Sequence, residues 1–239
     1  MTGGAGDLGR AYCLGLAAEG ASVVVADLAD PASVVEETTA AGGTAIGVHV
    51  DVADPASVDA MVETTLEVFG RVDGLINNAA KFKTVTVGAF EDISIEEWDE
   101  VMAVNVRGAW LCSRAVIDPM RTAGSGRIIN ISSNTVWKGV TGFLHYVTSK
   151  SAMIGFTRAL AREVGGSGIT VNTVAPDYTP DDLLLRVHPG HDDAVVAQRS
   201  VPRTQTPDDM VGTIVFLSGA GAAFITGQSF LVNGGSHFQ

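Results

Sequence analysis

Cysteine, aromatic residues and positive charge are all scarce in this chain. Only two cysteines, Cys13 and Cys112, occur in 239 residues, which excludes a disulfide framework and makes a reducing cytoplasm the expected compartment. Both sit in helical patterns and read as small buried hydrophobes rather than nucleophiles. Lysine and arginine number 15 against 27 acidic residues, a formal charge of −12, which argues against a nucleic-acid or anionic-membrane partner. No apolar run of about eighteen residues marks a membrane span, and nothing reads as a signal or transit peptide. The histidines form no His-x-x-x-His pair and no Cys-x-x-Cys occurs, so no metal site is expected. Internal repeats, low-complexity tracts and linkers are absent too. Residues 1–239 therefore read as a single domain, with an apolar fraction of 46% to fill its core.

What is present is an alternation of short β-branched runs with helical patterns. Residues 22–26, 44–50, 72–76, 127–132, 169–174 and 229–232 read as strands, continuously apolar as in a sheet covered on both faces. Asp30-Pro31 and Asp54-Pro55 place an N-cap before a proline at the first helical position. Ser94-Ile95-Glu96-Glu97 reads as a capping box, and Thr206-Pro207-Asp208-Asp209 puts acids into a first helical turn. The expected fold is α/β, a doubly wound parallel sheet. The one long irregular stretch, 177–205, is a candidate lid.

Chemistry concentrates in residues 127–163. An apolar strand ends at Ser132-Ser133; thirteen positions after Ser133 comes Tyr146, and four after that Lys150. An (i, i+4) pair shares one helix face, so the ammonium and the phenol can sit side by side. A free tyrosine ionises near ~10, too high for acid–base work at neutral pH, and a neighbouring cation lowers that value. The expectation is that Lys150 depresses the Tyr146 pKa while the Ser133 hydroxyl meets the same substrate atom.

A second cluster opens the chain: Thr2-Gly3-Gly4-Ala5-Gly6-Asp7-Leu8-Gly9. Glycines there let backbone approach a pyrophosphate, and the helix N-terminus that follows favours phosphate. Asp27 lies eighteen positions beyond Gly9 at a strand end, where a carboxylate can bond both ribose hydroxyls but repels a 2′-phosphate. No Arg or Lys occurs between Gly3 and Gly9 or just after Asp27, so NAD is expected in preference to NADP.

Taken together, Ser133, Tyr146-x-x-x-Lys150 and the Thr-Gly-x-x-x-Gly-x-Gly turn resemble the short-chain dehydrogenase/reductase family over residues 2–235. The resemblance implies a Rossmann-like sheet and a hydride-transferring enzyme with a tetrad of Asn105, Ser133, Tyr146 and Lys150. Asn105 would kink its helix and hold a water that continues a proton path from Lys150; the alternative is an Asn satisfied by local backbone bonds. Lys150 and Tyr146 would also face the nicotinamide ribose. Asp51 and Val52 would meet the adenine, and the backbone of Asn78, Ala79 and Ala80 would line the cleft, with Asn78 also bonding at the sheet end. Pro176, Asp177 and Thr179 would lie by the nicotinamide. Phe82, Trp137, Phe143, His145 and Leu184 would wall an apolar substrate pocket, with His145 packing rather than catalysing. The stretch 137–160 looks like secondary-alcohol dehydrogenases acting on aryl ketones, the 1-phenylethanol type. Helices beginning near Glu96 and Tyr146 would pair copies into a homodimer or homotetramer.

Four departures stand against this pattern. Asp7, Ala80 and Asp177 replace family glycines, and only Met1 precedes the glycine turn, so the sheet's first strand is missing from the sequence. They motivate an alternative, a catalytically weak nucleotide-binding or regulatory protein on the same fold. The missing strand leads us to expect a start further upstream in the functional protein, and a gap in the middle of the sheet lined by unpaired backbone groups.

Overall fold

The computed structural model describes residues 1–180 and 191–238. Among them six strands appear: β1 (Ser22–Asp27), β2 (Thr44–His49), β3 (Gly74–Asn77), β4 (Gly126–Ile131), β5 (Ile169–Pro176) and β6 (Ser229–Val232). Every pairing is parallel, as the alternating pattern predicted. The third strand starts two residues later than expected, and the fifth runs on to Pro176. The helices are α1 (Asp7–Ala18), α2 (Ala32–Ala40), α3 (Pro55–Phe69), α4 (Ile95–Met102), α5 (Ala109–Ala123), α6 (Thr135–Lys138), α7 (Leu144–Val164), α8 (His191–Val196) and α9 (Asp208–Ser218).

The strands fall into two sheets. β1 pairs with β2, and β3-β4-β5-β6 form a separate sheet in that order. Met1 and Thr2 bridge the two at the C-terminal ends of the strands. Thr2 makes a parallel bridge to Ala26, and its N–H donates to the Ile76 carbonyl at 3.1 Å. Ala26 N–H donates to the Met1 carbonyl at 2.9 Å. Among the described residues no strand lies between β1 and β3 below that level.

Strand periodicity sends alternate side chains to opposite faces. Ile128 joins Leu75, Leu111, Cys112, Val116, Met120 and Val171 in one core layer, while its neighbour Ile129 joins Tyr12, Ile76, Ile131, Val174, Ile214 and Leu217 in another. Each such side chain contributes roughly 1.5–3 kcal/mol by leaving water. Both cysteines are buried, as their helical patterns implied. One polar row crosses the apolar strands. Asn77 Nδ2 donates to Asn130 Oδ1 at 2.8 Å and to Ser113 Oγ at 3.2 Å, and Asn130 Nδ2 donates to Thr157 Oγ1 at 2.8 Å. Thr173 Oγ1 donates to the same Thr157 oxygen at 2.7 Å. Bonded in this way, the row fixes α5 and α7 in register with the strands, since a slip would strand buried polar atoms.

Helix starts follow the sequence with two changes. Asp54 caps α3 by accepting from Ala56 N–H. α2 begins at Ala32, one residue after Pro31, with Asp30 accepting from Ala32 N–H at 3.0 Å. Ser94 caps α4, but the reciprocal half of the capping box is missing. Glu97 instead accepts from Thr86 N–H at 2.6 Å, which holds the 81–88 loop. Between α4 and α5 the helix widens into a π-helical segment, Ala103–Gly108, centred on Asn105.

Candidate active site

β4 delivers Ser133 to the rim of the sheet. Ser132 N–H still donates to the Val174 carbonyl and Asn134 N–H to the Pro176 carbonyl, both at 2.8 Å, so the backbone on either side of Ser133 is fixed. Tyr146 and Lys150 project from the first turns of α7 on one face, as the four-residue spacing required. The Ser133 hydroxyl lies near enough to the Tyr146 phenol to favour its ionised form. Lys150 Nζ lies 5.8 Å from the centroid of the Tyr146 ring. All three side chains are buried.

The electrostatics differ from the expectation. Burial pushes the Tyr146 phenol up to about 12, opposed by the Ser133 hydrogen bond. Burial pushes Lys150 down to about 8. The Lys150 ammonium donates to the Ile131 carbonyl at 2.8 Å and sits over the ring rather than on the hydroxyl. Desolvation penalises each charge, and this outweighs the mutual help that proximity alone suggests.

Asn105 is buried and spans two elements. Its Oδ1 accepts from Lys81 N–H at 2.7 Å; its Nδ2 donates to the Lys81 carbonyl at 3.3 Å and to Ser149 Oγ at 3.0 Å. The amide therefore pins the loop after β3 against α7. The helix distortion read from the sequence is present, and the side chain's protons are committed to these partners rather than to local backbone.

At the glycine turn, two positions require the absence of a side chain. Gly3 has φ +64°, and a Cβ there would come within 2.9 Å of the Ala79 backbone. A Cβ on Gly9 would stand 2.0 Å from the Gly3 carbonyl oxygen, which overlaps it outright. Gly6, at the N-cap of α1, supplies no side-chain bond to the helix N–H groups, and the Asp7 side chain does not cap them either. Asp7 is the first residue of α1. No described non-glycine residue has positive φ, so the replacement of glycine carries no left-handed strain. Its carboxylate turns outward to Lys83 Nζ at 3.0 Å. Asp27 accepts from Ala5 N–H and Ala29 N–H, each at 2.9 Å, which sets its carboxylate beside the turn. Asn78 Nδ2 donates to the carbonyls of Thr2 at 3.2 Å and Gly3 at 2.9 Å, so its amide shapes the turn itself. Ala79 N–H donates to Thr2 Oγ1 at 3.2 Å, while Ala80 is exposed. Asp51 accepts from Ala53 N–H at 2.8 Å and precedes buried Val52.

Asp177 is the residue whose role the sequence concealed. Its side chain is 5% exposed and meets Lys138 Nζ at 2.8 Å and Arg199 Nε at 3.2 Å. Asn134 Nδ2 and Ser236 Oγ donate to it at 3.0 and 2.9 Å. Burial alone would raise this carboxyl, but hydrogen bonds from Lys138 and Asn134 hold it below its ordinary value. Asp177 joins the loop after Ser133, the end of β5, the C-terminal turn and the segment around Arg199. Thr179 Oγ1 donates to the Asp177 carbonyl at 3.1 Å, and Pro176 is buried at the strand end.

Of the expected substrate wall, Phe82 and Phe143 gather around Tyr146. The Phe82 and Tyr146 ring centroids are 4.9 Å apart, and Phe143 lies 6.5 Å from Tyr146. Trp137 is half-buried in α6. His145 is in none of the ring contacts: it is fully buried and brings Nε2 to 3.4 Å from Glu97 Oε1. Neighbours on a helix are turned about 100° apart, so adjacency to Tyr146 in sequence separates the two side chains in space. Leu184 lies outside the described residues. Among the described residues no cluster of His, Cys, Asp or Glu could hold a metal ion, and no helix is long and apolar enough to cross a membrane.

A sequence profile for the family described as enoyl-(acyl carrier protein) reductase matches residues 3–237. The (2S)-[(R)-hydroxy(phenyl)methyl]succinyl-CoA dehydrogenase subunit BbsD of Thauera aromatica is 36% identical, over 98% of this chain and 94% of that protein. A 3-oxoacyl-[acyl-carrier-protein] reductase of Synechocystis sp. is 37% identical, over 98% of this chain and 94% of its own length. A 3-alpha-(or 20-beta)-hydroxysteroid dehydrogenase of Mycobacterium tuberculosis is 33% identical, over 99% and 87%.

Proposed function

The chain belongs to the short-chain dehydrogenase/reductase family, and we propose that it is an NAD(H)-dependent oxidoreductase interconverting a secondary alcohol and a ketone on a hydrophobic or aromatic small molecule. The observation that carries this reading is the convergence of Ser133, Tyr146 and Lys150 at one buried rim of the sheet.

The family uses a nicotinamide cofactor, and the cleft fits one. Gly3 and Gly9 let the turn pack more tightly than any Cβ would allow, and α1 presents its first turn without a side-chain cap. In this reading Gly3, Asp7, Leu8 and Gly9 hold the pyrophosphate, with Lys83 offsetting the Asp7 charge. Asp27 takes the adenosine ribose hydroxyls and disfavours a 2′-phosphate. Asp51 and Val52 face the adenine; Asn78, Ala79, Ala80, Pro176, Asp177 and Thr179 border the nicotinamide side. When bound, the dinucleotide supplies or accepts the hydride.

The chain's own residues handle the proton and the charge. Tyr146 donates its proton to the carbonyl oxygen in reduction and takes it back in oxidation. Ser133 donates a hydrogen bond to the same oxygen as charge develops on it. Lys150, as a cation, stabilises the phenolate left behind and faces the nicotinamide ribose. Asn105 holds the loop at Lys81 and keeps α7 in place, and its π-helical turn is where the relay water would be held.

Phe82 and Phe143 beside the phenol support an apolar or aryl substituent on the reacting carbon. The relatives' names point the same way: a benzylic carbinol, a 3-oxoacyl thioester and a hydroxysteroid each present a secondary alcohol or ketone beside a hydrophobic body. Exposed Trp110 on α5 and Leu144 on α7 support a homodimer or homotetramer through these helices, and the two buried free thiols suit a cytoplasmic setting.

The test is absorbance in the reduced-nicotinamide band while aryl and alkyl secondary alcohols are offered with NAD or NADP at alkaline pH. Turnover with NAD, lost in Tyr146→Phe while dinucleotide binding persists, is expected. A Phe variant retaining a tenth of the rate would overturn the assignment.

A further inference from the structure

Two ladder bonds fix the main chain around Ser133, but its hydroxyl is free to rotate about the Cβ–Oγ bond unless something takes its lone pairs. Thr135 does so twice. Its Oγ1 donates to Ser133 Oγ at 3.0 Å, and its N–H donates to the same oxygen at 3.3 Å. A serine hydroxyl carries one proton and two acceptor lone pairs. With both lone pairs occupied from the Thr135 side, the proton is directed away from α6 and toward the phenol, whose ionisation a Ser133 hydrogen bond eases.

We infer that Thr135 is a positioning residue that makes Ser133 an obligate hydrogen-bond donor to the substrate oxygen. The inference rests on the reaction proposed above. Its consequence is directional. An oxygen gaining negative charge is stabilised by a donor and not by an acceptor, so a serine free to turn its lone pairs toward that oxygen would help less often. Ser132, one residue earlier, shows the contrast: its hydroxyl is spent on a main-chain carbonyl of α7 and has no proton to offer the site.

The experiment compares Thr135→Val and Thr135→Ser with the unmodified chain, each also in a Ser133→Ala background. Valine keeps the volume and the N–H but removes the hydroxyl donor. The expected result is a fall in kcat of about fivefold to tenfold for Thr135→Val, the scale of one hydrogen bond in the transition state, with KM changed less than twofold. Thr135→Ser should recover most of the rate. In the Ser133→Ala background the valine change should cost nothing further, because the hydroxyl it orients is gone. Equal losses with and without Ser133 would mean a packing effect and overturn the inference, as would wild-type kcat in Thr135→Val. If Ser133→Ala and Tyr146→Phe both keep full activity, the reaction itself is misassigned. If they are inactive and Thr135→Val is not impaired, only the role of Thr135 falls.

Discussion

The hydroxyl of Ser132 donates to the main-chain oxygen of Lys150 at 2.7 Å, while the Lys150 ammonium donates to the main-chain oxygen of Ile131 at 2.8 Å. Strand β4 and helix α7 are thus clasped by two bonds running in opposite directions, one residue before the reactive serine. The two serines should separate cleanly by experiment. Ser132→Ala removes the second donor from a buried helical carbonyl and should lower stability by about 0.5–1.5 kcal/mol. Ser133→Ala should lower kcat by at least tenfold with little change in the unfolding midpoint. Denaturant melts and steady-state rates on both variants check this; a Ser132→Ala protein with wild-type stability contradicts the clasp.

Lys150, brought down to about 8 by burial, sets the expected pH dependence. In ketone reduction the phenol must be protonated and the ammonium present to receive the phenolate. The phenol, pushed up to about 12, stays protonated across the working range, so the lysine governs. Below its pKa the cation is present and kcat/KM should be level; above about pH 8 the cation is lost and kcat/KM should fall. Lys150→Met should lower the plateau and remove the step. A profile that stays level well past that pH would contradict the role given to the ammonium.

Asp177 makes a stability prediction with a definite sign. Its carboxyl is held below the ordinary value of 3.8, so its contribution is complete above that pH and is lost as pH falls through the folded-state value. Asp177→Asn leaves the Arg199 guanidinium, 1% exposed, without its counter-charge, and should cost about 3 kcal/mol at neutral pH. The gap to wild type should close in acid. Restoring the family's glycine with Asp177→Gly should destabilise as well, since Lys138 and Arg199 would both lose their partner. Chemical unfolding at neutral and acid pH decides it; equal stability at neutral pH would show the cluster to be dispensable.

Much of this is legible in the sequence. Continuous apolar runs gave the parallel strands, because a sheet covered on both faces has no solvent side to encode. Tyr146 and Lys150 were found by spacing, since one helical turn fixes their relation. What stayed hidden depends on partners distant in sequence. Nothing near Asp177 announces that Lys138 and Arg199, 39 and 22 residues away, will neutralise it. The bonds of Asn105 to Lys81 close over 24 residues, and Glu97 leaves its cap for Thr86 and His145 for the same reason. The expected depression of the Tyr146 pKa gives way to a rise because proximity is visible in a sequence and desolvation is not. His145 is buried against Glu97, a partner that its place beside Tyr146 does not announce.

The π-helical segment at 103–108 has a consequence for what mutations this rod can absorb. A π turn carries one residue beyond the α repeat, so it advances the rotational phase of everything after it. Val101 upstream packs with Tyr146 and Val85, while Leu111 and Cys112 downstream pack on the sheet. Loss of a single residue here would let the wide turn close to an ordinary helix with that phase kept, whereas winding the full-length segment as an α-helix would swing α5 by about 100° and turn Leu111, Cys112 and Val116 off the sheet together.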